Sequence, residues 1–217
     1  MLHIRLWWAA HAGDAGLVRQ YLTDGDDIEQ IGGYHEDSTP INIACVMGNY
    51  ACVSVLLEFG AGILHIDHNG CTPLHNLVAH EQKPNLEGSY TGENQKELVR
   101  LMLYHGADPR IHDADGHTVM SHAVENNLCG VASILLDHGV DPSGVVNTKK
   151  TGDTALHVAI DVMDYWKVNI SMVELLISMG ASVSKGQNEG QTALTYAAQY
   201  AEIRKGPHVV LRALLTM

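Results

Sequence analysis

The chain contains the stretch Gly70-Cys-Thr-Pro-Leu-His-Asn-Leu-Val-Ala-His80, and four other segments of the chain have a similar sequence. The related segments begin at Ser38, Gly116, Gly152 and Gly190. A threonine hydroxyl can accept a hydrogen bond from a first-turn N–H group. A proline just after it suits the first helical position, because its φ is fixed and its missing donor is not needed. The stretch therefore predicts a helix that begins at Thr72-Pro73 and a chain built from repeats of it.

The threonines that open these segments recur with a period near 33 residues, and the later gaps are longer. The separations are 33, 46, 36 and 38 residues between Thr39, Thr72, Thr118, Thr154 and Thr192. Each segment except the last is followed by a second apolar run that ends on a glycine, as in Val53-Ser-Val-Leu-Leu-Glu-Phe-Gly60. Glycine adopts the left-handed conformation that ends a helix without a steric penalty. Each unit is therefore predicted to be helix, turn, helix and stop, with stops at Gly60, Gly106, Gly139 and Gly180.

The chain resembles the ankyrin repeat in Thr-Pro-Leu-His at 72–75, in the paired leucines of the second runs and in Gly-Ala-Asp at 106–108. The resemblance runs from about residue 6 to the end. It implies an all-α solenoid of about six helix-turn-helix units, with a hairpin or loop, called a finger here, between successive units. We expect a single ankyrin-repeat domain over 1–217, with units at about 6–30, 38–70, 71–116, 117–152, 153–190 and 191–217.

Charge and cysteine usage limit the classes of partner and location. With 13 basic and 25 acidic residues the formal net charge is −12, whereas binding to nucleic acid or an anionic membrane needs a basic stripe. The expected partner is another protein with a basic surface, and the oligomeric state stays open. Four cysteines without paired spacing and the lack of a signal-like start predict a cytoplasmic, intracellular protein. A protein delivered into a host cell without a classical signal has the same features.

Several stretches depart from the repeat pattern. The first unit lacks the opening Thr-Pro and is expected to cap the array, with one of Trp7 and Trp8 pointing inward and the other partly exposed. A polar insertion at 81–95 predicts a loop between two helices, and a smaller insertion lies at 163–169. The last unit stops in mid-pattern at Met217, so the chain is expected to be a fragment or to have its end covered by a partner.

Fourteen histidines raise the question of metal or catalytic chemistry. His75 and His157 occupy the motif's own histidine position, where the resemblance implies a structural hydrogen bond from the imidazole to the backbone of a neighbouring turn. The fingers 65–68 and 112–117 hold histidine and aspartate, but neither has a recognised zinc spacing, so zinc is only a minor alternative. No cysteine lies in a nucleophile motif. The sequence predicts no catalytic residue, no cofactor and no metal.

The predicted function is a non-catalytic protein–protein interaction module, an adaptor or substrate-recruiting scaffold, that binds its partner through finger tips and exposed ends of first helices. The alternative is the recognition domain of a larger enzyme or host-directed effector, with the catalytic part beyond Met217. The predicted partner-binding positions are Tyr34, His35, Glu36, Val46, Met47, His68, His80, His112, Asp115, Glu125, Lys149 and Asn188.

Overall fold

The fold is mostly helical, as predicted. It was obtained as a computed structural model that describes residues 4–32, 37–79, 92–147, 152–161 and 170–204. The chain forms two compact units, unit 1 over residues 1–114 and unit 2 over residues 115–217. The single array of six repeats over the whole chain stays a prediction.

Unit 1 contains six helices within the described residues. They are α1 (Arg5–Ala12), α2 (Ala15–Thr23), α3 (Pro40–Val46), α4 (Tyr50–Glu58), α5 (Pro73–Ala79) and α6 (Gly92–Tyr104). The first helix of each pair packs against the next first helix, α1 on α3 and α3 on α5, and the second helices pack likewise, α2 on α4 and α4 on α6. Leu6, Ile41 and Leu74 are fully buried in the row of first helices. The apolar face of each pair is thus hidden by its neighbours, as in a solenoid.

Unit 2 contains five helices and a two-stranded antiparallel sheet within the described residues. These elements are α7 (Val119–Glu125), α8 (Cys129–Asp137), β1 (Val145–Asn147), β2 (Asp153–Thr154), α9 (Ala155–Asp161), α10 (Ile170–Ser178) and α11 (Ala193–Arg204). Val145 pairs with Thr154 and Asn147 with Asp153, with an irregularity between the two pairs. The sheet is a finger hairpin. Helix α9 packs on α7, α10 and α11, which repeats the stacking seen in unit 1.

The helices begin where the cap threonines predict. The Thr72 Oγ1 atom accepts a hydrogen bond from the His75 N–H at 3.4 Å, and Thr192 Oγ1 accepts one from the Thr195 N–H at 3.2 Å. Pro40 is the first residue of α3. These contacts satisfy backbone donors that have no partner inside the helix.

The second helices end at the predicted glycines. At the end of α4, the Gly60 N–H donates to Leu57 O at 3.0 Å and the Ala61 N–H donates to Leu56 O at 2.9 Å. This pair of bonds is the Schellman arrangement, which needs a residue with positive φ. All four predicted stop glycines have a positive φ, which is 85°, 94°, 87° and 94° at Gly60, Gly106, Gly139 and Gly180.

The two motif histidines connect successive repeats, as the resemblance implied. His157 is buried, its Nδ1 accepts from the Thr154 N–H at 3.4 Å, and its Nε2 lies 3.0 Å from Gln191 O. A backbone N–H can only donate, so Nδ1 carries no proton and Nε2 is the protonated nitrogen that donates to the carbonyl. His75 repeats the pattern with Thr72 and Ile111 O.

The predicted loop at 81–95 is wrong at its C-terminal end. Helix α6 already begins at Gly92, and Gln95 is buried inside it. The Gln95 side-chain Nε2 donates to Leu77 O at 3.1 Å, so this polar residue is paired with the end of the preceding helix. Polarity alone suggested a loop, but a satisfied amide can be buried. The rest of that stretch and the insertion at 163–169 lie outside the described residues.

We predict that His157→Ala lowers the free energy of unfolding by about 1–3 kcal/mol, because Gln191 O and the Thr154 N–H would lose their partner in a buried place. The matched control is His138→Ala in the same unit, since His138 is exposed at the end of α8. Its effect should stay within about 0.5 kcal/mol. Urea denaturation would measure both, and equal midpoints for the two variants would contradict a structural role for His157.

We also predict that Gly70→Ala destabilises unit 1 more than Gly60→Ala does. Both glycines have positive φ, so alanine at either position costs about 1–2 kcal/mol in conformational strain. A Cβ at Gly70 would lie 2.4 Å from the Ala114 backbone N, whereas a Cβ at Gly60 would meet nothing within 4 Å. Thermal unfolding of both variants tests this steric difference, and a lower midpoint for Gly60→Ala would refute it.

Candidate partner-binding site

A pocket of about 480 Å³ opens in unit 1, between the ends of two first helices and a finger. We call it the α1–α3 pocket. Helices α1 and α3 form its walls, the turn at 67–69 forms one rim, and α5 contributes Asn76. Its lining residues are Trp7, Trp8, His11, Ser38, Ile43, Val46, Met47, Asp67, His68, Asn69 and Asn76.

One wall of the pocket is aromatic. Trp7 is 3% exposed and Trp8 is 43% exposed, which confirms the prediction that one points inward and the other does not. The Trp7 ring stacks on His11, one turn later on the same helix face, with centroids 5.5 Å apart and planes at 21°. Trp8 meets the edge of Trp7 at 5.1 Å. The buried ring thus supports an exposed one that offers its surface to solvent.

The opposite wall comes from the end of α3. Val46 is the last residue of the helix and Met47 is its C-cap. Both are half-buried, whereas Ile43, one turn earlier, is buried. A methionine thioether is flexible and adapts to irregular apolar surfaces. The two residues that the sequence assigned to partner binding here do line one cavity.

The rim is held in place by Asp67. Its Oδ1 atom accepts from the Asn69 and Cys71 N–H groups at 2.9 and 3.0 Å, and its Oδ2 accepts from the Asn76 side chain at 3.0 Å. These bonds tie the finger turn to α5. His68, another predicted contact residue, is therefore placed at the rim and is exposed.

The finger at 65–68 does not assemble the zinc site that was the minor alternative. The His65 Nε2 atom lies 2.8 Å from Asp37 O, and the Asp67 carboxylate is used in the turn. Both side chains therefore have structural roles. Apart from histidine, Asp67 is the one ionisable residue among the described residues that line the pocket, and its carboxylate gives this part of the rim a negative charge.

Four other predicted contact residues within the described ranges do not line the α1–α3 pocket. In unit 1, His112 is exposed on the next finger. In unit 2, Asp115 and Asn188 are exposed, the Asn188 amide lies over Gly152, and Glu125 lies 3.7 Å from the His122 ring. Five others, Tyr34, His35, Glu36, His80 and Lys149, lie outside the described residues.

The predicted contact set did not include the other residues of the lining, which are Trp7, Trp8, His11, Ser38, Ile43, Asp67, Asn69 and Asn76. The spacing of Trp7 and His11, four residues apart on a helix, was the available signal, because such residues share a face. No local signal pointed to Asn76, since its position depends on the bond to Asp67 across nine residues.

Three of the four cysteines, Cys45, Cys52 and Cys129, are poorly suited to nucleophilic chemistry. All four thiols are free. Burial raises the pKa of Cys45, and burial together with the Asp14 carboxylate raises the pKa of Cys52 to about 11. Burial also raises the pKa of Cys129. The thiolate is the reactive form, and these environments disfavour it.

No helix within the described ranges has both the length and the apolar character that crossing a membrane requires.

Comparison with known proteins identifies the repeat. The family model for ankyrin repeats in three copies matches residues 6–87 and 89–170. The E3 ubiquitin-protein ligase KEG of Arabidopsis thaliana is 29% identical over 197 residues, which are 91% of this chain and 11% of the ligase. The chain spans between 11% and 29% of the length of the first curated relatives that it matches.

Solved structures share the fold. The ankyrin repeat domain of Bcl-3, at 22% identity, has a TM-score of 0.76 over 98% of this chain and 85% of that chain. An ankyrin repeat domain from Acinetobacter baumannii AYE, at 23% identity, has a TM-score of 0.76 over 98% of this chain and 97% of that chain. Since the helix caps, the glycine stops and a family match over more than half of the chain agree, this protein belongs to the ankyrin repeat family, whose members are generally protein–protein interaction modules.

Proposed function

We propose that this chain is a non-catalytic protein-binding module whose α1–α3 pocket receives a side chain of the partner. The observation that carries the proposal is the exposed Trp8 ring beside a cavity of about 480 Å³ that also contains Val46 and Met47. Pockets that bury a ligand are mainly apolar, with a few placed polar groups. Here Asp67 and His68 supply the polar rim.

The partner proposed for this pocket is a protein segment that carries an apolar or aromatic residue next to a basic one. The apolar residue would lie between Trp8 and Met47. The basic residue would meet the Asp67 carboxylate or the face of the Trp8 ring, which attracts cations. The formal net charge of −12 favours encounter with a basic surface.

We predict that Trp8→Ala weakens partner binding about tenfold or more, because truncating a central aromatic anchor typically costs 1–2 kcal/mol or more. Tyr104→Ala in α6 is the matched control. Tyr104 is 84% exposed, belongs to the same unit and does not line the pocket. Affinity capture from a lysate with mass spectrometry would identify the partner, and calorimetry with the purified partner would give the affinities of wild type and both variants.

Thermal unfolding of the variants shows whether a loss of binding comes from a loss of stability. Trp7→Ala should lose about 3–5 kcal/mol of stability because its ring is buried, while the exposed Trp8 should contribute far less. Undiminished binding by a folded Trp8→Ala protein would refute the role of the pocket.

A second candidate function is substrate recruitment within a larger enzyme. It is favoured by the similarity to a ubiquitin-protein ligase. The match covers 91% of this chain but only 11% of the ligase. In that function the α1–α3 pocket would hold the substrate protein, and the chemistry would take place elsewhere. Sequencing the full-length transcript tests this candidate, because a reading frame that stops at Met217 removes it.

We further propose that the module acts inside a cell, its own or a host's. Four free cysteine thiols support a reducing compartment. Fluorescence microscopy of a tagged protein tests the location.

A further inference from the structure

Three side chains with metal-binding groups meet at helix α7 in unit 2. His117 precedes the cap residue Thr118, His122 is the fourth residue of the helix, and Glu125 is the seventh. The residue before an N-cap and the fourth helical residue commonly touch, because the chain turns back over the first helical turn. Residues three apart in a helix share a face. Local geometry therefore places His117 beside His122 and His122 beside Glu125.

The distances agree with this reasoning. Ring nitrogens of His117 and His122 lie within 4.8 Å of each other, and His122 Nδ1 lies 3.7 Å from Glu125 Oε2. Zinc bonds of 2.0–2.2 Å in a tetrahedral site place ligand atoms about 3.3–3.5 Å apart. Forming the site therefore requires side-chain rotations that bring His117 and Glu125 to an ion held by one His122 nitrogen. The His122 and Glu125 side chains are 13% and 35% exposed, so an ion can reach them.

The backbone that carries the cluster is anchored. His117 pairs with Asn147 in an antiparallel bridge, and the Thr118 N–H donates to Val146 O at 3.0 Å. On the other side, the Ser121 hydroxyl donates to Glu125 Oε1 at 3.4 Å and leaves Oε2 facing His122. Anchored ligands lower the cost of organising a metal site.

The last repeat shows that these positions are close in this fold. There the residue before the cap is Gln191 and the seventh helical residue is Gln199, and their side chains form a hydrogen bond of 3.2 Å. Of the five threonine-led helices, α7 is the one whose sequence has metal-binding residue types at all three positions. The other four helices are α3, α5, α9 and α11. In that order, the residue before the cap, the fourth helical residue and the seventh are Ser38, Ile43 and Val46; Cys71, Asn76 and Ala79; Asp153, Val158 and Asp161; and Gln191, Tyr196 and Gln199.

We propose that His117, His122 and Glu125 form a binding site for zinc, with water at the fourth position. Two imidazoles and a carboxylate are a known zinc ligand set, and three protein ligands leave one position open. Zinc in this place would join the finger that precedes α7 to the last turn of that helix. It would therefore stabilise unit 2.

The test is titration of the full chain with zinc chloride at pH 7.4, followed by calorimetry, with far-UV circular dichroism to check folding. We expect one saturable equivalent in the wild type, and affinity at least about tenfold weaker in His117→Gln and in His122→Gln, since even second-shell changes cost 10–100-fold. The matched control is His138→Gln, an exposed histidine of the same unit, which should bind as the wild type does.

Thermal unfolding provides a second readout. Added zinc should raise the midpoint of the wild type and the control but not of the two variants, because an ion bound only by the folded state stabilises that state. Absence of saturable zinc binding in the wild type would refute the site. Wild-type affinity in either folded ligand variant would refute it as well. Since the proposed partner pocket is in unit 1, its binding assay is a separate measurement with its own outcome.

Discussion

Burial between successive helix pairs is the constraint on which the rest of this structure depends. A pair such as α3 and α4 is too thin to hide its own apolar face, so it relies on α1 and α5 on one row and on α2 and α6 on the other. The motif histidines add a polar contact that also joins one repeat to the next, since His75 donates to a carbonyl 36 residues later. Both kinds of contact join neighbouring repeats, which is why the same short sequence recurs at nearly regular intervals.

The same constraint explains where a binding site can arise. Inner faces of the helices are used in stacking, so variation is tolerated at helix ends and in fingers, which contact solvent. The α1–α3 pocket lies at such a place. Trp7 belongs to the stacked interior and Trp8, next to it, does not, so a single adjacent pair contains both a buried ring and an exposed one. The His117 cluster likewise uses positions around a helix start that the stacking leaves available.

Prediction from sequence succeeded where structure is set within one turn of chain, and it failed where burial decides. The cap threonines and the stop glycines were found because their conformations depend on adjacent residues. Gln95 was assigned to a loop because it is polar, yet it lies in α6 with its amide bound to Leu77 O. For the site, Val46, Met47 and His68 were selected and do meet. Membership of His11 and Asn76 depended on side-chain directions that one sequence does not specify.

The sequence by itself determined the repeat and the helix starts and stops, since each follows from local backbone chemistry recurring along the chain. The structural role of the motif histidines was implied by the family resemblance, and their bonds reach 36 and 34 residues along the chain. Only the tertiary structure decided which distant side chains share a cavity and which tryptophan faces solvent. It also placed His122 beside Glu125 and within reach of His117. The physical reason is that these arrangements depend on how side chains pack across helices and turns, and the residues that set the packing are far apart in the chain.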